Sequence, residues 1–489
     1  MAVLVAALTI PWVGAEAHRG GGHGHGDDGG KLLFFASDGL RQDAVAKFSD
    51  DKVTPGFREL LRKGAYASGN GLLTQAPPNT GAGWFTLATG AWPAVHGSTN
   101  NTFHINGSTF ANSTSALPTT GSILQAETLA QSTERGGKKV AQIEWAGGRS
   151  ASINGPTLDF RQFRSGRGVA TNYISPSDSA QFTAAFGLQF DHPDGFAGRA
   201  PFPGAAPTDA TGWTSVPRSY SPAKEMRLRV LDGTTDKPTY GLNAYIYDSR
   251  NDGRTRYDRV LFSRTKSGTD KVGDLKEGEW ADVKVTIDTS PTDPLNGKTG
   301  GFLVKVERLA GDLSEVRLFH TSVTRANATW ASWPGAPGFT GSFEDWVNER
   351  WPSSQAGDFA VLEAGIVSEE TYIEQGEYWE TLYQPLLKYV LDTYKPDLAM
   401  VGYPVTDEVQ HQFLGLVTRK LPNGDDNPSY DDVNLDGERD HRVAERKGFI
   451  EGAYAGSDET MQLAQKHMRD KDLTTFVSSD HGFAPQFLA

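Results

Sequence analysis

Apolar positions along the chain fall into three regimes. From residue 31 to about 155, short unbroken apolar runs alternate with helical periodicity. Lys31 to Ala36 (KLLFFA) reads as a buried parallel strand that stops at Ser37-Asp38-Gly39. Thr54-Pro55 caps a helix that continues through Leu61 and stops at Gly64. Residues 66–73 are expected to form the next strand, 120–134 a helix, and Lys139 to Trp145 (KVAQIEW) a strand ending in Ala-Gly-Gly. That β, α, β, α, β order predicts a mostly parallel sheet flanked by helices, an α/β fold.

The pattern changes from about 155 to 350. Gly, Pro, Asp and Ser become frequent, and from Met226 short alternating runs recur: MRLRVL, YGLNAYIYD, DRVLFSR, WADVKVTI, FLVKVERL and EVRLFHTSV. Strands at that spacing, with turn residues between them, predict a large antiparallel β insertion of sandwich type. From about 357 the α/β pattern returns. Glu377 to Tyr394 is a periodic helix ended by Pro396, DLAMVG (397–402) a buried strand, Ala444 to Met468 a helix, and TTFVS (474–478) a strand. The domain reading is therefore 31–155 and 351–489 as two parts of one catalytic α/β domain, with 156–350 inserted between them.

Composition narrows this picture. The 489 residues exceed one ordinary core. A formal charge of −13 argues against nucleic acid as a partner, and an acidic enzyme acting on an anion needs metal ions to supply positive charge. The absence of cysteine excludes thiolate metal sites, Cys nucleophiles and disulfides. Residues 1–17 (MAVLVAALTIPWVGAEA) have the apolar run and A-x-A end of a secretory signal, too short to span a membrane, so a secreted or periplasmic protein is expected. Residues 18–30, which hold His18, His23 and His25, read as a flexible His/Gly-rich linker.

Candidate chemistry concentrates at strand ends and in one loop. The stretch TQAPPNTGAGWFTLATG (74–90) presents the Thr80 hydroxyl at the start of a short helix that Gly90 ends, and a helix N-terminus favours an anion. A threonine hydroxyl needs an activator to act as a nucleophile. Asp38 follows the first strand, Asp407 and His411 follow DLAMVG, and Asp480 and His481 follow TTFVS. Asp407 and His411 are four apart and share one helix face. Carboxylate with imidazole is a donor set for Zn²⁺ or a similar divalent ion, and the C-terminal edge of a parallel sheet is where ligands bind.

Taken together, FFASDGLRQD around Asp38, NTGAGWFTLATGAWPAVHG around Thr80, EWAGG, YPVTDEVQH and SSDHGF resemble the alkaline phosphatase superfamily, in its type I phosphodiesterase/nucleotide pyrophosphatase branch. The resemblance covers roughly 31–150 and 355–489 and implies an alkaline-phosphatase-like fold. It implies Thr80 as nucleophile, nine residues before Thr89, and Asn101 as a hydrogen-bond partner of the phosphate. It implies two metals: one on Asp38, Asp480, His481 and the Thr80 oxygen, the other on Asp407, His411 and a further His. That last His has no counterpart here, so the expectation is a chain cut short at its C-terminus, with catalytic competence in question. Other leaving groups stay open: phosphomonoesterase, phosphonate hydrolase, sulfatase, or an impaired binding protein. The expected substrate is a small phosphate ester or nucleotide.

Separately, DVNLDGERD (432–440) resembles a calcium loop through Asp432, Asn434, Asp436, Gly437 and Asp440, with Val443 where a closing Glu would stand. Ca²⁺ is thus a further candidate ion.

Overall fold

The computed structural model describes residues 30–485, apart from 70, 108–113, 117–122, 149–151, 175–186, 197–198 and 356, and gives the backbone alone at 160–162. The leader, residues 1–17, and the linker up to residue 29 lie outside the described residues.

Five parallel strands form the half of the main sheet that matters here: β1 (Leu32–Ser37), β2 (Val140–Ile143), β3 (Thr157–Phe163), β4 (Leu398–Tyr403) and β5 (Thr474–Ser478). Their order is β5-β1-β4-β2-β3. β1 lies between β4 and the edge strand β5, pairing Ser37 with Tyr403 on one side and Ala36 with Ser478 on the other. Because all these strands run the same way, the chain leaves β1, β4 and β5 at one edge. The residues that follow, 38, 404–411 and 479–481, are collected there.

Unbroken apolar runs were the signal for these strands, and their packing explains why. Leu33 and Phe35 face one core with Val401, Leu386, Tyr454 and Met461, while Phe34 and Ala36 face another with Trp84, Trp145 and Met400. Successive side chains point to opposite faces, so a strand covered on both sides cannot alternate apolar with polar. The covering helices are α1 (Gln42–Asp50), α2 (Pro55–Lys63), α3 (Thr80–Thr89), α4 (Leu129–Arg135), α5 (Glu369–Tyr394), α6 (Val405–Val417) and α7 (Val443–Met468).

Beyond β3 the same sheet continues antiparallel through Thr324–Thr329, Thr299–Leu309, Val316–His320 and Gly168–Thr171. A second antiparallel sheet, built on Lys224–Leu228, Leu242–Tyr247, Arg259–Ser263 and Lys271–Leu275, packs against it. Ile246 and Phe262 from one sheet share a core with Phe302, Val304 and Leu318 from the other, the arrangement of a sandwich. The predicted insertion boundary near 155 falls between β2 and β3, which pair in parallel. The antiparallel region thus extends the catalytic sheet directly.

Three local expectations fail. Residues 66–73 form no strand: Gly69 and Gly71 take positive φ (70° and 105°), which breaks a pleat, and Leu72 and Leu73 face solvent. The helix expected at 120–134 begins only at Leu129, where Thr128 and Gln131 form a capping box. Thr54 does not cap α2 with its side chain, which bonds Ser49 instead; the free N–H groups of Gly56 and Phe57 donate to Asp458 of α7 (2.9 and 2.5 Å). A long-range carboxylate thus does what the adjacent hydroxyl was expected to do.

Candidate metal centre

β1 ends in a sharp turn. Gly39 has φ of 61°, and a Cβ there would lie 2.7 Å from Asp407 Oδ1, so only glycine lets the Asp407 carboxylate approach. Hydroxyls lace the three strand ends together. Thr406 Oγ1 donates to the Asp38 carbonyl (2.6 Å), and Ser479 Oγ donates to the Ser37 carbonyl (2.8 Å) while accepting from Leu40 N (2.9 Å). Gly39 N donates to Asp480 Oδ1 (3.2 Å).

On this frame Asp38, Asp480 and His481, all buried, offer ligand atoms within 4.8 Å of one another. His481 Nε2 lies 3.3 Å from Asp38 Oδ1, 3.4 Å from Asp480 Oδ2 and 3.9 Å from Asp407 Oδ1. Its Nδ1 is 2.7 Å from the Gly482 carbonyl, which only accepts, so Nδ1 carries the proton and Nε2 is turned to the cluster. Asp407 and His411 stand on the first turns of α6 as their spacing predicted, 3.2 Å apart, and Phe483 packs edge-on against the His411 ring.

Thr80 is the first residue of α3. Its Oγ1 is 3.4 Å from His481 Nε2. Asn79 caps the helix by accepting from Ala82 N (3.2 Å), and Gly90, at φ 65°, ends it. Asn101 reaches the same place and accepts from Gly81 N through Oδ1 (2.6 Å). The N–H groups that follow Thr80 are therefore already bonded within the protein. At this helix N-terminus, expected to favour an anion, the Gly81 and Ala82 donors are thus taken by side chains.

The electrostatics show what the cluster lacks. Burial lifts the Asp480 carboxyl well above the usual carboxylate range, and the neighbouring Asp38 charge adds to this. Burial and then Asp38 also raise Asp407, against the pull of His411 and His481. For His481 burial alone would disfavour the charged ring, but contact with Asp38 and the charges of Asp480 and Asp38 outweigh it, lifting the imidazole to about 10. Asp38 Oδ1, Asp407 Oδ1 and Asp480 Oδ2 are buried without any hydrogen bond. Three crowded carboxylates with orphaned oxygens fit a divalent cation, and the oxygen and nitrogen donors suit Zn²⁺ or a similar ion.

Sequence reasoning missed several members of the site. Trp84 donates Nε1–H to Asp38 Oδ2 (2.9 Å). Glu144, Trp145 and Asp159 line the same cleft of about 320 Å³ as Asp38, Thr80 and Asp407. Glu144, the first residue of EWAGG, directly follows β2 and has a positive φ of 50°, a signal that only coordinates reveal.

The calcium-like loop sits elsewhere. Asp432 accepts from Asp436 N (3.3 Å) and Gly437 N (2.9 Å), and Asp440 accepts from Val433 N (3.0 Å). The guanidinium of buried Arg446 meets Asp440 (2.9 Å), Asp431 (3.5 Å) and Glu369 (2.7 Å). These carboxylates hold the loop to itself and to an arginine. Among the described residues the acids and histidines that converge on one point are Asp38, Asp480 and His481.

Residues 32–221 match the family model described as Type I phosphodiesterase / nucleotide pyrophosphatase. The matched span contains Asp38, Thr80 and Asn101 and stops before Asp407, His411, Asp480 and His481, which the fold brings to the same cleft. No curated protein matches the chain. Among the described residues no helix is long and apolar enough to cross a membrane.

Proposed function

We propose, from the match of residues 32–221 to the type I phosphodiesterase/nucleotide pyrophosphatase family model, an exported, metal-dependent hydrolase of phosphate esters that works through a phosphorylated Thr80. The observation that carries the reading is the buried Asp38–Asp480–His481 cluster, with its orphaned carboxylate oxygens, beside Thr80 Oγ1.

Asp38, Asp480, His481 and the Thr80 oxygen would hold one divalent ion, and Asp407 with His411 a second, Zn²⁺ being the ion that suits both donor sets. Bound there, the ions would lower the pKa of the Thr80 hydroxyl and neutralise charge on the transferring phosphoryl group. Thr80 Oγ1 attacks phosphorus in line. The P–Oγ1 bond forms as the bond to the leaving oxygen breaks, and the alcohol departs with the proton that Thr80 gives up. Water then cleaves the phospho-threonine, releasing the phosphate monoester that remains of a diester and restoring the hydroxyl. The positive end of α3 favours the anion at Thr80. Because Asn101 accepts from Gly81 N through Oδ1, its Nδ2 amide is the end left to donate to a phosphoryl oxygen.

The test is turnover of a bis-aryl phosphate by Zn²⁺-loaded protein, with intact-mass detection of one aryl-phosphoryl group on the quenched enzyme. Thr80→Ala should abolish both signals, and Thr80→Ser should retain the second. Unchanged turnover by Thr80→Ala would sink the nucleophile assignment. Faster turnover of a mono-aryl phosphate would move the assignment to a phosphomonoesterase, and of an aryl phosphonate to a phosphonate hydrolase. One bound ion with no turnover of any ester would favour a binding protein. Export predicts a mature N-terminus at His18, read by N-terminal sequencing of secreted protein.

A further inference from the structure

A second cavity, of about 370 Å³, opens between α5, α6 and α7, next to the catalytic cleft but on the far side of Pro404 and Glu408. Its character differs from that cleft. Ile373, Val405, Val409 and Phe449 give it an apolar track. Gly448 and Gly452 widen it: a Cβ at either position would meet nothing within 4 Å. Close packing therefore does not require these glycines, and each lowers helix stability relative to alanine. The open width is maintained against the intrinsic preference of α7.

Charge says what would lie there. Glu377 and Glu380 on α5 and Glu459 on α7 are in the lining, which contains no Lys, Arg or His. Neither Glu377 nor Glu459 has an ion pair among the described residues, and Glu380 has only the Tyr403 hydroxyl (2.7 Å). These glutamates are not a metal site: they do not offer three ligand atoms within 4.8 Å, as Asp38, Asp480 and His481 do. Their charges are spread along an apolar track, which suits a cation whose charges are likewise separated by methylene groups. Burial, then Glu459 and Glu377, push the Glu380 carboxyl upward, as expected where carboxylates face one another without a counter-charge.

We propose that this groove binds an aliphatic polyamine, with its ammonium groups on Glu377, Glu380 and Glu459 and its methylene chain along Ile373, Val405 and Phe449. The site is separate from the hydrolytic centre, so it stands or falls independently of the reaction proposed above.

Calorimetric titration of the full chain with spermidine, in moderate salt, tests it. One saturable site is expected, with Mg²⁺ at equal charge failing to displace the polyamine. Glu377→Gln/Glu459→Gln, both at exposed positions, should weaken binding by roughly tenfold or more. Gly452→Leu, which fills the groove without adding charge, should do the same. Asp50→Asn/Glu349→Gln removes two exposed charges outside the groove and should leave the affinity unchanged. Absence of saturable binding overturns the proposal. So does equal weakening by the remote pair, or full displacement by Mg²⁺, since either would mean that spermidine only screens an acidic surface.

Discussion

Gly83→Ala tests how tightly the nucleophile helix is coupled to the metal ligands. Gly83 lies inside α3, three residues after Thr80, with its Cα against the backbone of Asp480. An added methyl would overlap the Asp480 carbonyl oxygen and lie 2.8 Å from its carbonyl carbon, 0.6 Å short of the 3.4 Å where ordinary contact begins. The obstacle is backbone, so no rotamer change relieves it. Either α3 or the end of β5 must move by at least that amount. Alanine gains about 1 kcal/mol over glycine in helix propensity, whereas overpacking costs about 1–3 kcal/mol. The net effect is a modest loss of stability. The larger effect falls on function, because the displaced residues are Thr80 on one side and Asp480 with His481 on the other. A misplacement of about 1 Å can cost on the order of a hundredfold in rate, and disturbed ligand support roughly 10- to 100-fold in metal affinity. The assay pairs turnover of a bis-aryl phosphate with Zn²⁺ competition against a chromophoric chelator, on protein shown by circular dichroism to be folded. Wild-type turnover together with wild-type Zn²⁺ affinity would refute the coupling, and with it the placement of Thr80 and Asp480 at one centre.

Further expectations concern charge. His481 is lifted from 6.5 to about 10 in the folded protein, so its contribution to stability is complete below about pH 6.5 and is lost as pH rises towards about 10. Asp480 and Asp407 are also raised, so the native state holds protons that the unfolded state releases, and they act in the same direction. Metal-free protein should therefore lose urea resistance across that window, and saturating Zn²⁺, which binds the deprotonated ligands, should remove or reverse the trend. Arg446→Met would take the guanidinium from Asp431 and Asp440, while Glu369 keeps Arg442, and should cost about 3–5 kcal/mol in urea unfolding, while a Ca²⁺ chelator added to the wild type should leave the melting temperature unchanged. Trp84→Phe removes the indole donor from Asp38 Oδ2 and should cost about 1–3 kcal/mol in metal-free protein, seen as a lower urea midpoint.

Part of the catalytic sheet is legible in the residue string because its inner strands β1 and β4 are covered on both faces, whereas the edge strand β5 stays partly exposed. KLLFFA, DLAMVG and TTFVS are short runs bounded by turn residues, and each is followed at once by a ligand type. Burial on two sides forces the run in β1 and β4, and parallel pairing forces the ligands of all three strands to one edge. The Asp407 to His411 spacing is similarly local, a property of one helix turn. The string misled where local chemistry was overruled from a distance. Residues 66–73 carry apolar side chains but turn at Gly69 and Gly71, and α2 is capped by Asp458 from across the chain. Only tertiary contact brought Trp84 to Asp38, tied the Gly81 N–H to Asn101, and set Arg446 against the calcium-like loop and Glu369. It also decided that the antiparallel strands extend the catalytic sheet, a matter of which edges pair. The partner of a buried donor or charge depends on how the chain folds back on itself, over 20 positions for Gly81 and Asn101 and 402 for Gly56 and Asp458, and no local pattern encodes it.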